Sequence, residues 1–312
     1  MRSTFAALIL ISGIASATSA LAADDSLSGS LTCVGSDTAS ALVTRWASAF
    51  EGLHPRARIQ VQAAGSASAP LALTAGAADI GSMSRPMSAN EEADFRKRYG
   101  YAPTRLAIAR DAIVVFVHPE NPLQRLTFAE LDAIYSTTRR CGAAQPMRYW
   151  SDLDTHNQDA LGTRQILAAG RDASSGTHEV FRESVLCNGR FRPEVIAWPG
   201  NGAIVGTVAM NREAIGYAGI GYINGMVKPL ALARNQSDAG ILPDRTSIAD
   251  GSYPLARSLY LYVNRPPQRA LAELPAAFIE FALSDEGQAL VHQEGFVPLA
   301  ADERRAQRSI LE

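Results

Sequence analysis

Apolar positions along the chain follow two periods that take turns. Leu31 to Val34 is a short apolar run, and Thr38 to Phe50 carries Leu42, Trp46, Ala49 and Phe50, continued by Leu53, at helical spacing. Ile59 and Val61 alternate within Arg58 to Gln62, which predicts a strand. The turn Gly65-Ser66-Ala67-Ser68 leads to a short helix with Pro70 in its first turn and Gly76 at its end. Ala78 to Ser82 reads as a strand, and Ser88 with Glu91 predicts a capping box ahead of a helix that stops at Gly100. The alternation continues. Ala112 to Val117 is a β-forming run, Thr127 and Glu130 cap a helix, and Gln165 to Ala169 is a strand. Thr177 to Leu186 and Ala203 to Met210 are helices, and Ile215 to Ile223 is a glycine-spaced strand. The Gly- and Asp-rich stretch from Asn235 to Gly251 reads as loop; Leu259 to Val263 is a last strand, with helices near 271–283 and 285–294. Strands alternating with helices predict an α/β protein whose sheets are mostly parallel and flanked by helices.

Length adds a domain count, since 312 residues suit two ordinary domains. Hydrophobic residues at 47% and charged residues at 19% allow a sizeable core. A formal net charge of −2 gives no electrostatic case for nucleic acid or an anionic membrane. The N-terminus changes the compartment. Arg2, the apolar stretch Phe5 to Ile14 and the small-x-small Ala20-Leu21-Ala22 read as an export signal over 1–22, cleaved near Ala22/Ala23. The stretch is too short to span a bilayer, and Cys33 lies too deep to carry a lipid anchor, so a periplasmic or secreted protein is expected. Among 3 cysteines, Cys141 and Cys187 can pair, leaving Cys33 a buried thiol, or all three stay unpaired. No Cys/His spacing suits a metal, and no cofactor motif is present.

Three segments share one design, in which a strand ends, small polar residues follow and a helix begins. They are Gly35-Ser36-Asp37-Thr38, Gly65-Ser66-Ala67-Ser68, and Gly170-Arg171-Asp172-Ala173-Ser174-Ser175-Gly176-Thr177. Helix N-termini present unpaired N–H groups and partial positive charge, which suits an oxyanion. Ordinary helix capping accounts for each turn taken singly. Arg171, whose planar fork can pair an oxyanion, and Ser84-Arg85 at another strand end strengthen the anion reading.

On these turns, together with Val34-Gly35-Ser36-Asp37-Thr38, Ala78-Asp79-Ile80-Gly81-Ser82-Met83-Ser84-Arg85, Ile215 to Tyr222 and Tyr253 to Val263, the chain resembles the phosphate-binding component of bacterial phosphate ABC transporters. The likeness runs over about residues 30 to 300. It implies a two-lobed, type II-like periplasmic-binding-protein fold with the ligand between lobes. The lobes would be 23–112 with 256–312, and 113–255, joined by hinge crossings near Asp111 and Arg257. It implies phosphate contacts from Ser36, Asp37, Thr38 and Ser66, with Ser84 and Arg85 beside them, and from Arg171, Ser175, Gly176 and Thr177 across the cleft. Many members carry an aspartate, acceptor for the proton of phosphate, where this chain has Ser84; Asp37 either takes over that role or only caps its helix. The implied partners are inorganic phosphate and a membrane permease, for a monomeric importer component.

Other readings stay open. The ligand is another tetrahedral oxyanion, or the protein is a secreted phosphate sensor. A third reading is a phosphomonoester-cleaving enzyme using Ser175, His178 and Asp172. No Gly-x-Ser-x-Gly elbow surrounds Ser175, and His178 stands only three residues away at a helix start, so catalysis is not expected.

Overall fold

A computed structural model describes residues 27–153 and 162–311 of the chain. The expected export signal lies outside the described residues. In chain order the elements are β1 (Gly29–Gly35), α1 (Asp37–Leu53), β2 (Ala57–Gln62), α2 (Ser68–Ala75), β3 (Ile80–Met83), α3 (Ala89–Tyr99), β4 (Thr104–Val117), β5 (Arg125–Thr127) and α4 (Phe128–Tyr135). There follow β6 (Leu167–Arg171), α5 (Gly176–Ser184), β7 (Ile196–Trp198), α6 (Asn201–Met210), β8 (Ala214–Gly219), β9 (Lys228–Pro229) and β10 (Ala231–Ala233). Last come α7 (Arg245–Ala249), β11 (Ala256–Val263), α8 (Glu273–Ala282), α9 (Asp285–Gln293) and α10 (Ala301–Ser309).

One sheet runs in the order β2-β1-β3-β11-β4-β8-β6-β7, with β9 added beside β4. Its two ends, β2-β1-β3 and β8-β6-β7, are parallel blocks. The join between them is antiparallel, through β3-β11, β11-β4 and β4-β8. The reason is that both chain crossings are themselves strands and pair with each other. β4 pairs with β11 from Thr104 to Ala112 and turns to β8 from Ile113 onward, and Asp111 stands opposite Arg257 in the β4–β11 register.

The interior divides at the same place. One apolar core gathers Leu31, Trp46, Phe50, Leu106, Leu261 and Phe278; a second gathers Ile113, Phe116, Tyr135, Phe181, Ile204 and Tyr217. We call the corresponding parts of the chain the first and second halves.

Local signals explain most helix ends. Ser88 with Glu91 and Thr127 with Glu130 form complete capping boxes, and Gly76 and Gly100 end α2 and α3 in the left-handed conformation. The stretch from Asn235 to Gly251 is not all loop. Asp244 accepts from the Ser247 N–H, and the short α7 starts there. Cys141 and Cys187 form a disulfide, which ties the segment after α4 to the chain just beyond α5. Cys33 is a buried free thiol, pushed by burial up to about 12. No described helix is long and apolar enough to cross a membrane.

Candidate functional site

The three polar turns meet where the two halves face each other. β1 ends at Gly35, and Ser36 caps α1 by accepting from the Ala39 N–H at 3.4 Å. The cap is therefore Ser36, which leaves the Asp37 carboxylate for another task. It reaches α6 of the second half, taking the Asn201 N–H at 3.2 Å and the Asn201 Nδ2 at 2.7 Å. It also lies 3.3 Å from Arg171 Nη1. Thr38, one residue on, brings its Oγ1 to 2.9 Å from Thr177 Oγ1 at the start of α5.

The second turn closes on the same helix start. Ser66 Oγ accepts from the Ser84 N–H at 3.1 Å and lies 3.2 Å from Ser84 Oγ. Gly176 fits beneath both hydroxyls: an added Cβ would stand 2.5 Å from Ser66 Oγ and 2.8 Å from Ser84 Oγ. Gly65, at φ +90°, packs on the Ser174 carbonyl, and Ala67 N–H donates to that carbonyl at 3.2 Å. Ser175 caps α5 by accepting from the Thr177 and His178 N–H groups at 3.1 and 3.4 Å.

Arg171, at the end of β6, is 2% exposed. Its Nη2 donates to the Pro199 carbonyl at 2.6 Å and its Nε to the Trp198 carbonyl at 3.4 Å. Its Nη1 is buried without a hydrogen-bond acceptor, held only by the ion pair with Asp37. Burial draws the guanidinium below its ordinary value, against the pull of Asp37. A cation so placed is short of negative partners.

Sequence reasoning named ten residues, and the structure brings most of them to the same place between the halves. Ser36, Asp37, Thr38, Ser66 and Ser84 come from the first half, and Arg171, Ser175, Gly176 and Thr177 from the second. Arg85 stands apart. Its Nη1 and Nη2 donate to Glu91 at 2.7 Å each, and its Nε is ion-paired with Glu179 on α5. Burial alone would lower this guanidinium, but the Glu91 bonds and the charges of Glu91 and Glu179 raise it above its ordinary value. Two further residues join the site without having been named for it, Arg257 having been read only as a hinge crossing. Asn201 is fully buried and touches both Asp37 and Thr38; Arg257 donates to Thr177 Oγ1 at 2.8 Å and pairs with Asp111. The signal for Asn201 was present, because Pro199-Gly200-Asn201 repeats the strand–turn–helix design after β7.

The rival nucleophile reading finds little support in this geometry. Ser175 Oγ is occupied with two amides, and the His178 ring lies stacked on Phe191 with centroids 4.5 Å apart. Burial, then Arg182, hold that imidazole below its ordinary value. Among the described residues no group of three or more His, Cys, Asp or Glu could hold a metal. What the site offers is hydroxyls, helix N-termini and a guanidinium, which are donors that hold an existing negative charge.

The model of the PBP superfamily domain matches residues 20–286. The phosphate-binding protein PstS of Pseudomonas aeruginosa is 41% identical over 311 residues, spanning 96% of this chain and 96% of its own. PstS of Staphylococcus epidermidis is 29% identical over 84% of this chain and 77% of its own. Among solved structures, an ABC-type phosphate transport receptor from Vibrio cholerae superposes with a TM-score of 0.66 at 24% identity, covering 86% of this chain and 100% of that one. A substrate-binding protein assigned to a phosphate ABC transporter in Clostridium perfringens, with bound phosphate, gives a TM-score of 0.71 at 24% identity over 87% and 100%. At that identity the two structures establish the shared fold.

Proposed function

The chain belongs to the PBP superfamily, among the phosphate-binding proteins of bacterial phosphate ABC transporters, and from that premise we propose that it captures one dehydrated inorganic phosphate between its halves and passes it to a membrane importer. The observation that carries this reading is the buried Arg171, with Nη1 lacking a hydrogen-bond acceptor, at the edge of a shell of hydroxyls drawn from both halves. Ser36, Thr38, Ser66 and Ser84 act from the first half, and Arg171, Ser175, Gly176 and Thr177 from the second. Hydrogen bonds to a charged group contribute about 1.5–3 kcal/mol each, so five or more offset the desolvation of the anion. Asp37, which when ionised can only accept, accepts a hydrogen bond from the O–H that phosphate keeps at neutral pH. Arg85 serves as a strut between the halves and leaves the ligand to Arg171.

The family is one of transport receptors, and capture without turnover follows for this chain. The exported protein works as a monomer in the periplasm, its mature form starting near Ala23, and its partner is the permease of the importer. Hinge motion at the β4–β11 crossing, near Asp111 and Arg257, opens the two lobes, 23–112 with 256–312 and 113–255. Calorimetric titration with inorganic phosphate is expected to give saturable one-to-one binding. Incubation with phosphomonoesters, with and without divalent metal, is expected to give no hydrolysis. Robust hydrolysis that disappears in Ser175→Ala would overturn the reading in favour of an enzyme.

A further inference from the structure

At the end of the glycine-spaced strand β8 and just beyond it, two consecutive amides point at different side chains. The Gly219 N–H donates to Asn201 Oδ1 at 3.2 Å, and the Ile220 N–H donates to Asp111 Oδ1 at 3.1 Å. Each begins a chain of hydrogen bonds. With its oxygen committed to Gly219, the Asn201 amide has one orientation, and its Nδ2 faces Asp37 at 2.7 Å and Thr38 Oγ1 at 3.3 Å. Asp111, fully buried, holds Arg257 through Nε at 2.8 Å and Nη2 at 2.7 Å. Arg257 Nη2 in turn donates to Thr177 Oγ1 at 2.8 Å. Both chains end on the pair of threonine hydroxyls that meet across the halves at 2.9 Å.

Counting protons gives these chains a direction. A hydroxyl has one proton and two acceptor positions. Asn201 and Arg257 can only donate here, so they fill acceptor positions on Thr38 and Thr177 and can receive neither hydroxyl proton. The 2.9 Å contact uses one of the two protons. The other has no acceptor in the hydrogen bonds of the described residues. A threonine pair wired in this way presents one donor to whatever enters the site.

We infer that Asn201 and Arg257 are positioning residues for the anion: by filling acceptor positions on Thr38 and Thr177 they leave the hydroxyl proton that the Thr38–Thr177 contact does not use directed at an unprotonated ligand oxygen. The inference rests on the phosphate reading above and extends it. It assigns the ligand's orientation, with an ionised oxygen towards the threonine pair and the protonated oxygen turned away from it. It also explains two features of the chain. Gly219 must lack a side chain, because a Cβ would stand 2.7 Å from Thr38 Cγ2 and 3.3 Å from Asp111 Oδ1. Arg257 sits on β11 opposite Asp111, where the chain crosses between halves, so the wiring assembles only when Thr177 of the second half reaches the crossing.

Two double-mutant cycles, read by calorimetric titration with inorganic phosphate at fixed pH and salt, test this. Arg257→Met is measured in the native and the Thr177→Val chains, and Asn201→Leu in the native and the Thr38→Val chains. Each is expected to weaken phosphate binding by about tenfold or more in the native background, and the loss should shrink at least about fivefold where the threonine hydroxyl is already gone. Losses that act through Asp111 or Asp37 are common to both backgrounds and cancel. Arg257→Lys, which keeps a cation for Asp111 and a donor for Thr177, should recover part of the loss and stands in if Arg257→Met fails to fold. Equal losses in both backgrounds overturn the relay that the cycle addresses, while native phosphate binding leaves the transport reading intact. A native chain that does not bind phosphate overturns both.

Discussion

Arg171 and Arg85 look alike in the sequence, each following a strand beside small polar residues, and both are nearly buried at the face between the halves. Their surroundings set them apart. Arg85 is gripped by both oxygens of Glu91 and reached by Glu179, so its charge is fully answered within the protein. Arg171 is backed by two carbonyls and faces one carboxylate, Asp37; each guanidinium keeps one buried nitrogen without a hydrogen-bond acceptor, Nη1 in Arg171 and Nε in Arg85, so the difference lies in the number of carboxylates. Carbonyls orient a guanidinium without neutralising it, whereas carboxylates neutralise it. The shifts follow: burial wins at Arg171, and the carboxylates win at Arg85. A buried arginine is available to a ligand to the extent that its protein partners leave its charge unmet.

That contrast breaks first on the two arginines themselves. Arg171→Met should weaken phosphate binding by at least tenfold, about 1.4 kcal/mol, because the ligand loses its main cation. Arg85→Met strands Glu91 and Glu179 and should lower the melting temperature more than it lowers affinity. Calorimetry and thermal unfolding on both variants check this. Equal losses of affinity would mean that Arg85 also answers the ligand.

The contrast marks how far the sequence could be read. Capping boxes at Ser88 and Thr127, the stops at Gly76 and Gly100, and the three polar turns are local patterns and were legible. The partners of Arg85 were not legible, because Glu91 and Glu179, which pair with it, are placed by two different helices. The role of Arg257 beside Thr177 was hidden for the same reason, since the two lie 80 residues apart, whereas Asn201 carried a local signal in Pro199-Gly200-Asn201 and only its partner Thr38, 163 residues away, was hidden. The length of β4 was also hidden. Only Ala112 to Val117 is continuously apolar enough to announce a strand, while Thr104 to Asp111 mixes in Arg105, Arg110 and Asp111 to pair with β11 and the far end of the chain.

Asp37 sharpens the comparison, as the one carboxylate that partly answers Arg171. If it accepts a hydrogen bond from the ligand's O–H, the native protein should prefer phosphate to sulfate, which has no proton to offer at neutral pH. Asp37→Asn should narrow that preference by about tenfold, with sulfate gaining and phosphate losing, one bond being worth about 1.4 kcal/mol. Competition titration with sulfate measures both. Equal affinity for the two anions in the native protein would count against the acceptor role and widen the ligand class.

Glu179 probes the other arginine from the second half. Glu179→Gln removes the ion pair between halves and leaves the Arg85–Glu91 grip in place. Glu179 is about a third exposed, so the pair is worth at most about 1 kcal/mol, a few-fold in phosphate affinity through less complete closure. The difference between native and variant should fade at high salt. Unchanged affinity at low salt would reduce Arg85 to a support for α3 alone.

The smallest effect concerns Glu91 and acid. Burial by itself would raise its carboxyl, but hydrogen bonds from Arg85 and from the Ser88 amide hold it below the ordinary value of 4.5. A carboxyl depressed on folding stabilises the native state fully above its unfolded value, and that contribution is lost as pH falls through the folded value. The native chain should therefore lose stability through Glu91 only below about pH 4.5. Glu91→Gln should be less stable at neutral pH, with a shallower fall in melting temperature across the acid range. The affinity of Arg171 for phosphate at neutral pH should change little, since Glu91 answers Arg85 and not the ligand. Parallel melting curves for native and variant from pH 6 to pH 3 would show that the Arg85–Glu91 pair carries no proton-linked stability, and the distinction between the two arginines would then rest on ligand binding alone.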